Sequence, residues 1–244
     1  MSDGVTHLQF VWFYVPAPQA GWELQHSIKS VRKYFQGEAE IIVIGANPGP
    51  WFTDTLIEVP RVGHEWGASL QPYFDTRNKW VIACEHPAIK PEFVWMMDDQ
   101  FFVNPVTKER LEEPKADPFY KEPKTQYAHH MRLWMRLVIK SFQWCQKFGA
   151  KPYQYATHAP HYIVQKDMRW TLKNLPIGEI VLPEIAYNTL FHERPGSCFP
   201  FLQRIERPLT DHQLMDIEKK ATVVNLTPNA LTTQTKNWLQ RRIG

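Results

Sequence analysis

Two apolar runs joined by one amphipathic stretch constrain this chain more than any other feature of it. Leu8–Val15 (LQFVWFYV) is an unbroken aromatic and β-branched run that stops at Pro16 and Pro18, and Ala39–Gly45 (AEIIVIG) is a second run of the same kind. Between them, Trp22–Phe35 sets Leu24, Ile28, Val31 and Tyr34 or Phe35 at helical spacing with basic residues interleaved. Strand, helix, strand within 45 residues predicts a parallel βαβ unit and an α/β sheet.

The rest of the chain extends that pattern. Leu56–Val59 reads as a short strand, Asp75–Glu85 as a helix and Phe93–Met97 (FVWMM) as a third strong strand. Tyr127–Phe148 is predicted as the longest helix, from Met131, Trp134, Met135, Val138, Phe142 and Cys145 at spacings of three and four. A polar-aromatic strand ending at Val164 leads into a helix over Gln165–Leu175, and Ile180–Leu182 is a candidate sheet strand. Ile185–Phe191 is ambiguous between strand and helix. Thr210–Ala221 and Gln234–Arg242 read as short helices, so residues 206–244 are expected to form a small helical appendage to a domain over 1–205. Thr107–Thr125, rich in Lys, Glu and Pro, reads as a mobile loop, with a lid and a passive surface segment as its two readings.

The third strand ends in Asp98 and Asp99. Two adjacent carboxylates beside an apolar sheet are costly unless something positive satisfies them. A divalent cation carrying a diphosphate does so, since hard oxygen ligands suit Mg²⁺ or Mn²⁺. The competing reading is an N-cap followed by a solvent-facing acid. Ligands of open parallel sheets gather beyond the carboxyl ends of the strands, where this pair falls.

Composition narrows the classes. A net charge of +3 over 244 residues does not mark the whole chain as a nucleic-acid binder, although local basic clusters occur at Arg32-Lys33, Arg132–Lys140 and Arg241-Arg242. Three widely spaced cysteines without a CxxC pair suggest neither a disulfide framework nor a structural zinc site, which favours a reducing, cytoplasmic setting. The opening residues do not read as a leader, and no apolar run approaches the length of a membrane span.

Glu92–Val106 (EFVWMMDDQFFVNPV) resembles the acidic segment of the Stealth-type sugar-phosphate transferases, the group of capsule polymerases and GlcNAc-1-phosphotransferase. There, an apolar strand ends in two Asp followed by aromatic residues and a Pro-Val pair. Glu23–Trp51 resembles the same family's first block, and His158–Lys166 resembles its H-x-P-x-x-[LI]-x-[RK] segment, with Lys166 one residue past the basic position, which Gln165 occupies. Together the blocks span about residues 8 to 190 in the family's order. The first strand departs from the pattern by ending Val15-Pro16-Ala17-Pro18 without an acid, and the family's C-terminal block is not recognisable.

The resemblance implies a GT-A-like, Rossmann-related fold and metal-dependent transfer of a sugar or sugar phosphate from a nucleotide-sugar, a UDP-sugar foremost, with Mn²⁺ or Mg²⁺ as cofactor. Asp98, Asp99 and His158 are the implied metal ligands, and Asp99 and His158 also the implied catalytic residues. Glu184 is added as a candidate base, in Pro183-Glu184-Ile185. Arg77 and Lys79 at a helix start, with Asp98 and Lys166, are the candidate donor-binding residues; a capped, solvated helix start is the alternative for the first two. His129 and His161 are expected in packing or solvent. The acceptor is a saccharide foremost, with hydroxymethylated bases of phage-type DNA as the second reading and a non-catalytic sugar-nucleotide binding module as the third.

Overall fold

The computed structural model describes residues 6–116, 129–150, 155, 158–176, 179–192 and 196–244, excluding the side chains of 129–132. It is a mixed α/β structure with a mostly parallel central sheet flanked by helices. Strands β1 (His7–Tyr14), β2 (Glu38–Gly45) and β3 (Thr55–Glu58) are joined by helix α1 (Ala20–Tyr34) and a loop. Helix α2 (Gln71–Glu85) then returns the chain to β4 (Glu92–Met96). The sheet order is β3-β2-β1-β4, all parallel, so the strands step one way from β1 and then resume on its other side.

Further along come β5 (Gln100–Phe102), α3 (Lys108–Glu112), β6 (Lys115–Ala116) and α4 (His129–Gln146). Strand β7 (His161–Val164) closes the far edge of the sheet antiparallel to β4 and runs directly into α5 (Gln165–Asn174). Then follow α6 (Pro183–Phe191), β8 (Gly196–Ser197), β9 (Leu202–Ile205), α7 (Asp211–Lys220), β10 (Val223–Leu226) and α8 (Thr233–Ile243). β6 and β8 form a two-stranded ribbon, and β5, β10 and β9 form a separate three-stranded sheet.

Alternation along the central strands separates two cores, as the two-residue side-chain period requires. Phe10, Trp12, Val43, Val94 and Met96 pack on one face beneath Leu24, Ile28 and Val31 of α1. Val11, Ile42, Ile44, Phe93 and Trp95 fill the other face with Trp80 of α2, Cys145 of α4, Met168 of α5 and Tyr187 of α6. Covering both faces explains why these strands read as continuous apolar runs.

The expected helical appendage is corrected in one respect. Residues 206–244 hold α7 and α8, but also β10, which is the middle strand of the small sheet and bonds to β5 and β9. α8 packs on α1, where Tyr34 and Lys33 both donate to the Arg242 carbonyl. Val223 and Val224 are apolar enough to pair centrally, yet four residues interrupted by Asn225 give too short a period to announce a strand.

Other expectations shift as well. Ile180–Leu182 is not a strand; it leads into α6, and the Leu182 N–H is taken up by Ser141 Oγ at 2.8 Å. The Thr107–Thr125 segment is ordered at its start, with Thr107 capping α3 and β6 following, while 117–125 fall outside the described residues. No helix among the described residues is long and apolar enough to cross a membrane.

Candidate active site at the carboxyl ends of the strands

The reversal of strand order places the switch point of the sheet between the carboxyl ends of β1 and β4, the position where open α/β sheets bind ligands. Asp98 and Asp99 follow β4 at that point, and the Asp98 charge is one cause of the raised phenol pKa of Tyr14, the last residue of β1. The turn is fixed by neighbouring backbone. The Asp99 carbonyl accepts from Leu226 N–H at 3.1 Å and from Asn225 Nδ2 at 3.3 Å, so β10 grips the acidic pair from behind.

His158 arrives from sixty residues away because β7 runs antiparallel to β4, which brings the segment before β7 back to the carboxyl end. Its Nδ1 lies 3.9 Å from Asp99 Oδ2. The His158 backbone is left-handed, with φ 55°, a conformation that a non-glycine residue keeps only when its surroundings impose it.

Burial dominates the electrostatics. It pushes the Asp98 carboxyl up to about 7, helped by Asp99 and by Glu23 of α1. Glu23 is likewise raised to about 7 by burial and by Asp99, against the pull of Lys236. Asp99 is raised by burial, with His158 and Asn225 opposing, and burial holds His158 below its ordinary range against the pull of Asp99. Asp98 and Glu23 are thus raised further by neighbouring acids, whereas Asp99 is raised by burial against His158 and Arg204.

Buried polar atoms without hydrogen-bond partners mark the same place. Asp99 Oδ1, His158 Nδ1 and Asn225 Oδ1 are all enclosed and unpartnered. Buried polar atoms are rarely left so, and a polar ligand bound there would satisfy them. Among the described residues, no group of three or more His, Cys, Asp and Glu side chains is arranged to hold a metal ion. Carboxylate and amide oxygens are nevertheless donors that Mg²⁺ and Mn²⁺ accept, while an imidazole is the less usual ligand for these hard cations.

The other expected site residues divide. Lys79 is near the pair, since Asp98 contributes to its electrostatics, but its ammonium is committed to Asp75 Oδ2 at 2.6 Å and to the Tyr14 carbonyl at 3.3 Å. Expected as a phosphate contact, it is instead a buried brace between α2 and the end of β1. Asp75 uses its other oxygen on the Val62 N–H, which ties the loop after β3 into the same brace. Gly45, with φ 140°, ends β2 against this lysine; a Cβ there would meet the Tyr14 carbonyl and come within 3.3 Å of Lys79 Cε.

Arg77 is two residues away on α2 and points elsewhere, its guanidinium donating to the Pro176 carbonyl at 3.3 Å. A helix turns about 200° over two residues, so neighbours at that spacing cannot share a ligand face. Glu184 sits in the first turn of α6 with Oε2 enclosed and unpartnered, and burial alone raises it to about 7. Its charge acts on Tyr73 of α2, whereas Asp98 answers to Asp99 and Glu23, so Glu184 is not joined to the pair.

Lys166 is corrected outright. It lies in the first turn of α5, past the end of β7, and lines a cleft of about 500 Å³ with His7, Lys90 and Glu92 at the amino ends of the parallel strands. The antiparallel direction of β7 that delivers His158 to the site carries Lys166 away from it. His161 is a packing residue as expected, stacked 5.6 Å from Trp95 and held neutral by complete burial, which lowers it to about 3. His129 and His130 have side chains outside the described residues.

Glu23, Gln100 and Asn225 are the site residues that sequence reasoning missed. One signal was present: Glu23, Ser27 and Ser30 stand at spacings of four and three beside the apolar stripe of α1, and all three are buried. A polar stripe inside an apolar face marks a helix that borders a polar site. No protein-family model matches the chain, and no curated protein matches it significantly.

Proposed function

We propose that this chain is a metal-dependent transferase of the GT-A-like kind, moving a sugar or sugar phosphate from a nucleotide-activated donor to a hydroxyl acceptor. The observation that carries the reading is the approach of His158 to Asp99, next to Asp98, at the switch point between β1 and β4, with buried polar atoms there that lack partners. Asp98, Asp99 and His158, with the Asn225 amide, are the residues that would hold Mn²⁺ or Mg²⁺, and since they are not arranged around one point as they stand, their side chains would have to close on the ion. When bound, the ion supplies electrostatic stabilisation of the leaving diphosphate.

The protein's own residues do the rest. Asp98 and Glu23, each raised to about 7, would ionise fully when positive charge enters, so cation binding would release protons. The Lys79–Asp75 brace keeps the ends of β1 and β2 and the loop after β3 at fixed spacing under the donor. Arg204, whose charge reaches both Asp99 and His158, adds cationic character to the rim.

A saccharide is the favoured acceptor over DNA, because much of the basic surface that suggested DNA is engaged internally. Arg32 pairs with Asp54, and Arg242 bonds to Val103, Asn104 and Glu218. A thermal-shift titration with UDP and Mn²⁺, followed by a donor-hydrolysis assay, tests the proposal. Stabilisation and slow sugar release by the wild type, both lost in Asp99→Asn, are the expected results. Stabilisation without turnover on any hydroxyl acceptor or water would favour the binding-module reading, and equal stabilisation of wild type and variant would remove the acidic pair from the site.

A further inference from the structure

Gln100 does more than continue the chain after the acidic pair. The residue is completely buried, and its side-chain amide spans two loops. Oε1 accepts from the Met97 N–H at 3.0 Å, one residue before the pair, and Nε2 donates to the His158 carbonyl at 2.7 Å. Its own backbone carbonyl accepts from Ser27 Oγ at 2.6 Å, and that hydroxyl accepts in turn from Trp12 Nε1 at 3.0 Å. A single side chain thus links the turn carrying Asp98 and Asp99 to the one residue of the site with a left-handed backbone, and it is anchored to α1 and β1.

We propose that Gln100 is a positioning residue that holds His158 in its left-handed conformation and so sets the imidazole opposite the Asp99 carboxylate. The inference rests on Asp99 and His158 forming one site, as proposed above, but not on sugar transfer. A left-handed non-glycine residue relaxes unless its surroundings over-determine it. The donor–acceptor polarity of an amide fits this place, since one end must accept from a backbone N–H and the other must donate to a backbone carbonyl. Gln100→Met keeps the length and removes both bonds, whereas a buried Glu would be protonated here and restore them. Gln100→Leu also removes both bonds.

The test compares wild type, Gln100→Leu and Gln100→Met at one fixed pH, with folding checked by circular dichroism. The His158 ring signals are read by NMR, assigned by their loss in His158→Ala, with exposed His212 as an internal control. Mn²⁺ affinity is read separately from the paramagnetic resonance of the unbound ion. The His158 signals should move in both variants while those of His212 stay. Mn²⁺ affinity should fall about 10- to 100-fold, the range typical of residues that orient metal ligands. Gln100→Leu should add no further loss once His158 is already Ala.

Unchanged His158 signals in a folded Gln100→Met protein would overturn the proposal, as would fully additive losses in the double variant. If Gln100→Leu fails to fold, Gln100→Met decides alone. If the wild type binds no Mn²⁺, the metal reading fails while the ring signals still decide the role of Gln100.

Discussion

The two ends of the central sheet are built from the same strands and differ in almost every physical respect. At the amino ends, charges are exposed and matched: His7 lies 3.0 Å from Glu38, Lys90 lies 2.6 Å from Glu40, and Glu92 pairs with Lys108 at 3.3 Å. At the carboxyl ends, Asp98, Asp99 and Glu23 crowd together with raised pKa values, His158 has a left-handed backbone, and three enclosed polar atoms lack partners. Exposed pairs of the first kind contribute little to stability. Uncompensated groups of the second kind cost stability and persist where a protein does its work. Unpartnered buried atoms occur elsewhere too, Glu184 Oε2 among them, but the cluster of acids with a left-handed histidine is found at the carboxyl end.

The sharpest way to break this contrast is at Asp99. Asp99→Asn should lower donor turnover by at least about a hundredfold, the scale of losing one electrostatic stabiliser of a transition state. Its melting temperature should not fall, because the change removes an unsatisfied acid. A variant that loses stability as well as turnover would make the carboxyl end ordinary structure.

Next comes the brace beneath the site. Asp75→Asn leaves the Lys79 ammonium buried without its partner and should cost about 3–5 kcal/mol in urea unfolding, as expected for breaking a buried ion pair. The exposed Lys90–Glu40 pair offers the contrast, with a loss of at most about 1 kcal/mol for Lys90→Ala.

A smaller effect separates burial from crowding. Glu184 is raised from 4.5 to about 7 by burial alone, so the folded chain binds a proton that the unfolded chain has released. Its contribution therefore falls as pH rises from about 4.5 to about 7 and is level above that. Glu184→Gln should gain on the wild type across that window in urea melts. The buried histidines, whose lowered pKa values act with the opposite sign, are common to both proteins and cancel. A constant difference between the two proteins would place the Glu184 carboxyl in water.

The smallest effect is expected at the amino end. Lys166→Ala should change donor turnover by less than about twofold, as for a surface substitution away from the site. A larger loss would join the two ends of the sheet functionally and undo the comparison.

The sheet and most of its helices were legible because burial on both faces leaves continuous apolar runs and helical spacing in plain view. The acidic pair was legible for the converse reason, as charge set against that background. Lys166 misled because a motif read along the chain carries no strand direction, and β7 reverses it. Arg77 misled because two residues apart on a helix means opposite sides. Asn225 and Gln100 were invisible in another way. One sits in a strand too short to show a period, and the other matters only through a carbonyl 58 residues away.

The grip of β10 on the acidic pair also has a consequence for timing. Translation delivers Asp99 more than a hundred residues before Asn225 and Leu226, the residues that bond its carbonyl. A growing chain can pair β1, β2 and β4 and cover them with α1 and α2, yet the turn bearing the pair stays unclasped until β10 leaves the ribosome. Chains that stop short of Leu226 would hold the sheet without the bonds that fix the acidic turn.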